Sequence, residues 1–142
     1  MSKAVYLNPP GTAPAQGLYS HVGVAPAVSL AFIAGQLSVG AQGEVVGKHD
    51  FAAQFARVFE NLGDVLKGMG GDFNNVVKFT TYLVHSQDIE KFMVLRRALF
   101  PQLFATDMYP PNTLLVIDRL VKEEFLIEVE AIASIATPTP EK

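Results

Sequence analysis

Two carboxylates near the end of the chain stand in a pattern that could support acid–base chemistry. Glu128 and Glu130 lie two positions apart in the otherwise aliphatic stretch FLIEVEAIASI, residues 125 to 135. Side chains alternate along a strand, so both acids share one side and the apolar residues share the other. If the acidic side faces water, the two residues are ordinary solubilising groups. If another subunit or a ligand covers it, one of them becomes a candidate general base.

The composition predicts one compact domain that spans residues 1–142. A chain of this length buries roughly two thirds of its unfolded surface. Only 18% of the residues are charged whereas 49% are hydrophobic, which favours burial of some apolar surface between subunits. Prolines and glycines in residues 1–17 predict an extended N-terminal arm, and residues 136–142 a loose tail.

Charge and residue usage exclude several classes of function. The net charge is −3 and the eleven Lys and Arg residues are scattered, so we expect no nucleic-acid partner. The chain has no cysteine, its three histidines lack metal-ligand spacing, and no nucleotide-binding glycine pattern occurs, so we expect no metal and no cofactor. No apolar run of about 18 residues is present, which predicts a cytoplasmic protein without a membrane partner.

Hydrophobic periodicity predicts two helices. In residues 50–67 the apolar side chains recur at helical spacing, Asp50 is suited to cap the start, and the sequence GMGG at 68–71 ends the element. A second helix is predicted from about Ser86, but Pro101 removes a backbone donor and should kink or end it.

The remaining elements are predicted strands. Residues 18–24 and 28–39 with a hairpin at 41–47 suggest one antiparallel meander, and further strands are expected at 76–84, 113–118 and 125–135. This order predicts an α+β fold in which two helices cover one face of a mixed sheet. The other face, which carries both acids, is left without helices, so self-association would cover it.

Several short segments occur along the chain in a particular order and spacing: Tyr19, AGQ at 34–36, GEVV at 43–46, Asn61 with Leu62, VVKFTTYL at 76–83 and IEVEAIA at 127–133. Together they resemble the RidA/YjgF family of reactive-intermediate deaminases. The resemblance implies a chorismate-mutase-like fold and a homotrimer whose sheets form a central barrel, with sites in the clefts between subunits.

The resemblance also implies an activity and a catalytic residue. Family members of the best understood type hydrolyse imines and enamines to a carbonyl compound and ammonia, and the carboxylate assigned to that step corresponds to Glu128. The family's carboxylate-binding arginine is replaced here by Asn112, after Tyr109, Pro110 and Pro111. Asn has no charge to offer, so a typical 2-imino acid is not the expected substrate.

The other residues that the resemblance places at the site are Tyr19, Ala34, Asn112, Thr113, Leu114 and Arg96. Ala34 and Leu114 stand where the family usually has Ser and often has Cys, which implies a more apolar pocket. Arg96 could supply a replacement positive charge, although a helix arginine is ordinarily solvated. Tyr19 could equally be a packing residue, and Asn112 a turn residue.

Two functional hypotheses stay open at this point. The first is hydrolysis of a small imine, enamine or related metabolite at an intersubunit cleft. The second is a trimer of the same architecture that binds a small metabolite or a protein partner without turnover. Ribonuclease activity, claimed for some relatives, fits poorly with an acidic chain that lacks a recognisable phosphate clamp.

Overall fold

The computed structural model describes residues 3–25 and 29–135. The helices and strands, in chain order, are β1 (Val5–Leu7), β2 (Val22–Val24), β3 (Ser29–Gln36), α1 (Phe51–Gly68), β4 (Val76–Leu83), α2 (Asp88–Leu103), β5 (Asn112–Val116) and β6 (Ile127–Ile135). A single 3₁₀ turn, Phe73–Asn75, leads into β4.

The main sheet has four strands in the order β3-β6-β4-β5. The pairs β3–β6 and β6–β4 are antiparallel, whereas β4 and β5 are parallel because α2 forms the crossover between them. Both helices pack on one face of the sheet, and this arrangement confirms the predicted α+β class with a mixed sheet.

The core lies between α1, α2 and the inner face of the sheet. The predicted stripe of α1 is buried from Phe51 to Leu66, and the alternate residues of β6 from Ile127 to Ile135 face it. Burying each large side chain stabilises the fold by about 1.5 to 3 kcal/mol, which is why this stripe docks on the sheet. The Asp50 side chain caps α1 by accepting a hydrogen bond from the Ala53 amide at 3.0 Å, as predicted.

The predicted N-terminal meander is wrong. Strand β2 pairs with β1 in a separate two-stranded sheet, and β1 lies inside the arm for which no regular element was expected. Strand β3 pairs instead with the last strand, β6. Residues 41–47 form a turn closed by one bridge, Val39 to Val45, rather than a hairpin. Pairing between strands far apart in sequence depends on packing that local propensity does not record.

The second helix is longer than Pro101 suggested. It begins at Asp88 and continues to Leu103, so the proline lies in the last turn, where its missing amide costs a single intrahelical bond. The tail at 136–142 and residue 28, which was predicted to start a strand, lie outside the described residues. Within residues 3–25 and 29–135, no helix has the length and apolar character needed to cross a membrane.

Candidate functional site

The sheet face opposite the helices, here called the open face, carries polar and apolar side chains together. Strand register places the following residues on it: Leu30, Phe32 and Ala34 of β3, Glu128, Glu130 and Ile132 of β6, Lys78, Thr80 and Tyr82 of β4, and Thr113 and Leu115 of β5. Phe32 is 74% exposed, and Leu30 and Leu115 are also exposed. A single chain therefore presents large apolar groups beside two carboxylates.

A β-bulge at Ala34 and Gly35 shapes the surroundings of Glu128. Ile33 pairs with Ala131 and Gln36 pairs with Val129, so β3 has one residue more than β6 between these two pairs. Bulges of this kind re-aim side chains.

Gly35 lies directly against the Glu128 side chain. A Cβ atom at position 35 would stand 2.6 Å from the carboxyl carbon of Glu128, closer than real Cβ contacts allow. The sequence suggested that Gly35 permits close approach, and the group that approaches is this side chain. Glycine here leaves the space that the half-buried carboxylate occupies.

The two acids of β6 have different surroundings. Glu130 accepts a hydrogen bond from the Tyr82 hydroxyl, and this bond is the main cause of a raised Tyr82 pKa. Glu128 has no hydrogen-bond or ion-pair partner in the described part of the chain. Burial, and secondarily the charge of Glu130, raises the pKa of Glu128 above its ordinary value. Glu128 is therefore the carboxylate available for chemistry.

Asn112, Thr113 and Leu114 begin the edge strand β5. The Asn112 amide oxygen accepts a hydrogen bond from the Thr81 hydroxyl at 2.8 Å, which directs its NH₂ group away from Thr81. Thr113 lies on the open face, whereas Leu114 packs against the core. Two strand spacings, about 10 Å, separate β5 from β6. Within one chain, these three residues lie apart from Glu128.

Tyr19 precedes β2 instead of lying in a strand, which corrects its predicted setting. Its hydroxyl accepts a hydrogen bond from the backbone N–H of Gln16 at 3.0 Å. Its ring contacts the ring of His21 edge to face, with the ring centres 6.1 Å apart. Tyr19 also influences the pKa of Arg96, so these two predicted site residues lie near each other.

The expectation that Arg96 is a solvated helix residue is wrong, because it is only 1% exposed. The spacing of Phe92, Arg96 and Phe100 places Arg96 on the inward stripe of α2, and this signal was present in the sequence. No hydrogen bond, ion pair or ring contact links Arg96 or Tyr19 to Glu128 in the described residues. Those residues also contain no cluster of three or more metal-ligating side chains.

Comparison with known proteins decides the family. The family model described as endoribonuclease L-PSP matches residues 10–135. The chain belongs to this family. A RutC family protein of Pyrococcus abyssi is 36% identical over 103 residues, which cover 72% of this chain and 76% of that protein. The RidA/YjgF resemblance is thereby confirmed.

Solved structures of Rid proteins share the fold. A Rid family protein of unknown function, YyfB from Yersinia pestis, superposes with a TM-score of 0.82 at 29% identity and covers 94% of this chain and 99% of its own. TdcF of Escherichia coli, solved with bound serine, has a TM-score of 0.68 at 25% identity and covers 91% and 94% of the two chains. This Rid chain therefore has the family's chorismate-mutase-like architecture.

Proposed function

We propose that the protein is a cytoplasmic, homotrimeric hydrolase that deaminates a small imine or enamine at a cleft between subunits. The observation that carries this proposal is Glu128, a half-buried carboxylate without a partner in the described residues. It lies on the sheet face that the helices leave uncovered, in space that Gly35 keeps open. Membership of the Rid family, which includes imine deaminases and small-metabolite binders, supports the same conclusion.

Glu128 would act as the base and then as the acid of the hydrolysis. Its carboxylate takes a proton from water as the water oxygen attacks the imine carbon, and it passes that proton to the imine nitrogen, which gives a carbinolamine. Glu128 then accepts the hydroxyl proton of the carbinolamine and delivers it to the nitrogen as the C–N bond breaks, so the products are a carbonyl compound and ammonia. A raised pKa suits this exchange because it brings the acid and base forms closer in free energy at neutral pH.

A second subunit would close the cleft over the open face. The exposed apolar side chains of that face, with Phe32 74% exposed, favour burial against another copy. Asn112 and Thr113 lie two strands from Glu128 in one chain, so a neighbouring copy would bring them to it, whereas Leu114, whose side chain packs against the core, would form the apolar wall behind them. In the proposed cleft, the substrate is contacted by Ala34, which lies on the same face as Glu128, and by Tyr19.

The substrate would differ from a typical 2-imino acid. Asn112 provides a neutral amide where the family commonly has arginine, and its oxygen is committed to Thr81. Loss of a charged hydrogen-bond partner costs about 1.5 to 3 kcal/mol of binding, which is roughly tenfold to a hundredfold in affinity. TdcF holds serine, so small amino-acid-like compounds are the size class to test. Arg96 remains a proposed source of replacement charge.

The test follows ammonia release from enzymatically generated imines, both acidic and neutral. The proteins compared are wild type, Glu128→Gln and the control Glu130→Gln, which changes the neighbouring acid on the same face. We expect wild type to exceed the rate in buffer, preferably with neutral imines, and Glu128→Gln to lose about 10² to 10⁴ of that acceleration. Equal rates for wild type and Glu128→Gln would show that Glu128 takes no part in the reaction.

The absent arginine favours a second candidate function, a trimer that binds a small metabolite without turnover. The neutral amide at Asn112 can orient a ligand through hydrogen bonds without activating it. Calorimetric titration of amino acids and keto acids into wild type would separate the two readings. Saturable binding, with no imine hydrolysed faster than in buffer, would replace the deaminase proposal with this one.

A further inference from the structure

A buried arginine, Arg96, lies beneath the N-terminal arm without an acidic partner among residues 3–25 and 29–135. Its side chain is almost completely enclosed, at 1% exposure, and its Nε and Nη1 atoms have no hydrogen-bond acceptor in that part of the chain. Its Nη2 atom donates to the Met93 sulfur at 3.0 Å, and a thioether is a weak acceptor. Three N–H donors of the guanidinium, one on Nε and two on Nη1, are therefore unused.

The neighbouring aromatic rings compensate the charge only in part. The guanidinium carbon lies 5.0 Å from the ring centre of Phe92 and 6.0 Å from that of Phe100. Such contacts offset only part of the free-energy cost of burying an ion. They also leave the in-plane N–H groups without acceptors. A buried cation of this kind is stabilised when an anion joins it.

A small pocket adjoins this guanidinium. Its volume is about 120 Å³, and it is lined by Gln16, Gly17, Leu18, Met93, Arg96 and Arg97. None of these residues is acidic, and Arg97, which is exposed, adds a second positive charge. A carboxylate or phosphate group is small enough for a pocket of this volume.

Gly17 closes the pocket over the arginine. A Cβ atom at this position would stand 2.5 Å from Nη2 of Arg96. The backbone of the arm therefore lies in direct contact with the guanidinium, and any larger residue would have to displace it.

We propose that Arg96, together with Arg97 and the 16–18 segment, forms a binding site for a small oxyanion, either a free carboxylate or phosphate or such a group on a small metabolite. Guanidinium groups bind both oxyanions through paired, charge-assisted hydrogen bonds. Burial lowers the pKa of Arg96 to about 10, so the side chain still carries its charge at neutral pH. The inference requires neither Glu128 nor deaminase activity.

The direct test measures the melting temperature of wild type against acetate, phosphate, sulfate and chloride at constant ionic strength. We expect a saturable rise of about 3 °C with acetate or phosphate and a smaller one with chloride. A preference for acetate identifies a carboxylate site, and a preference for phosphate or sulfate a site for tetrahedral anions. The same rise should occur in Glu128→Gln, which separates this result from the outcome of the ammonia assay.

Two variants and one control locate the effect. Arg96→Met removes the charge while preserving the apolar stem, so it should abolish the rise, whereas Arg97→Met on the exposed side should retain most of it. Gly17→Ala should weaken the response by pressing on the guanidinium. If Arg96→Met does not fold, the Nε–H resonance of Arg96 in wild type can be titrated with the same anions. A wild type that gives no saturable rise, or an Arg96→Met protein that keeps the full rise, would overturn the proposal.

Discussion

Glu128 and Glu130 differ in what surrounds each carboxylate, and that difference assigns them separate roles. Tyr82 binds Glu130, whereas Glu128 is packed against Gly35 without a partner in the described residues. A carboxylate that is half-buried and unpaired keeps its proton to higher pH than one in water. Single-residue changes at these positions should therefore alter stability in a pH-dependent way and should alter activity when they change the space beside Glu128.

The raised pKa of Glu128 has a consequence for stability that can be measured. The folded protein binds this proton more tightly than the unfolded chain, so the stabilisation is complete below the ordinary value of 4.5 and is lost as pH rises through the folded pKa. Above its folded pKa, the Glu128 carboxylate is a half-buried charge without a partner in the described residues. Glu128→Gln should therefore raise the melting temperature at pH 7 and do so less at pH 4. A gain of equal size at both values would contradict the assignment, and Glu130→Gln is the control.

Gly35 should matter for activity through Glu128. In Gly35→Ala the added methyl group would stand 2.6 Å from the carboxyl carbon, so the side chain must move. Misplacing a catalytic group by about 1 Å can cost on the order of 100-fold in rate, and we expect a loss of that order in ammonia release. Gly68→Ala is the matched control, since nothing lies within 4 Å of its new Cβ. Unchanged activity in Gly35→Ala would show that the contact is irrelevant to catalysis.

Among the elements, α1 is tied to the strand of the candidate base by one buried side chain. Gln54 donates to the carbonyl oxygens of Gly47 and Glu124 at 3.0 and 2.8 Å, and its own oxygen accepts from the Leu126 amide at 2.8 Å. These three bonds hold the start of β6 against the helix. Gln54 thereby helps to fix where Glu128 lies.

Replacing this glutamine should destabilise the fold strongly. Gln54→Leu leaves buried backbone groups without partners, at about 1 to 3 kcal/mol for each, so we expect the free energy of unfolding to fall by about 2 to 3 kcal/mol or more. Urea unfolding measures the change. Gln102→Leu, on the exposed side of α2, should alter stability by no more than about 0.5 kcal/mol. If Gln54→Leu lowers the free energy of unfolding as little as the control does, Gln54 does not hold the start of β6 against α1.

The helices show which features of the fold could be predicted from the sequence. The stripe of α1 and its Asp50 cap were predictable because they depend on local spacing and on one side chain near its own backbone. The role of Gln54 was not predicted, because its partners come from residues distant in sequence. The burial of Arg96 was missed, although its spacing with Phe92 and Phe100 indicates it. The same reason explains the missed pairing of β1 with β2 and of β3 with β6. At the candidate site, Glu128 was predictable from strand alternation, whereas the bulge beside it was not.

For the whole molecule, the proposed cleft requires a second copy that covers the open face. The α+β class followed from the order of the elements, but contacts between copies are not encoded in any local pattern. Phe32 is the most exposed of the large apolar residues on this face, at 74%. Burial of one such side chain contributes about 1.5 to 3 kcal/mol per subunit to an interface.

A charge at this position should prevent assembly. Phe32→Glu would place a carboxylate in the proposed apolar interface, so we expect sedimentation velocity to give a monomer mass for this variant and a trimer mass for wild type. Val121→Glu is the control, because Val121 is 72% exposed but lies in a loop before β6. A wild type that sediments as a monomer would remove the cleft altogether.

The most direct measurement for the central claim is the pH dependence of kcat/KM for ammonia release, in wild type and Glu128→Gln. We expect the rate of wild type to rise with pH as one group loses its proton, at a pKa above the ordinary 4.5 of a glutamic acid. In Glu128→Gln the residual rate should not show this rise with pH, which forms the acidic limb of the profile. A wild-type profile without the limb, or a variant that retains it, would contradict the claim that Glu128 is the base.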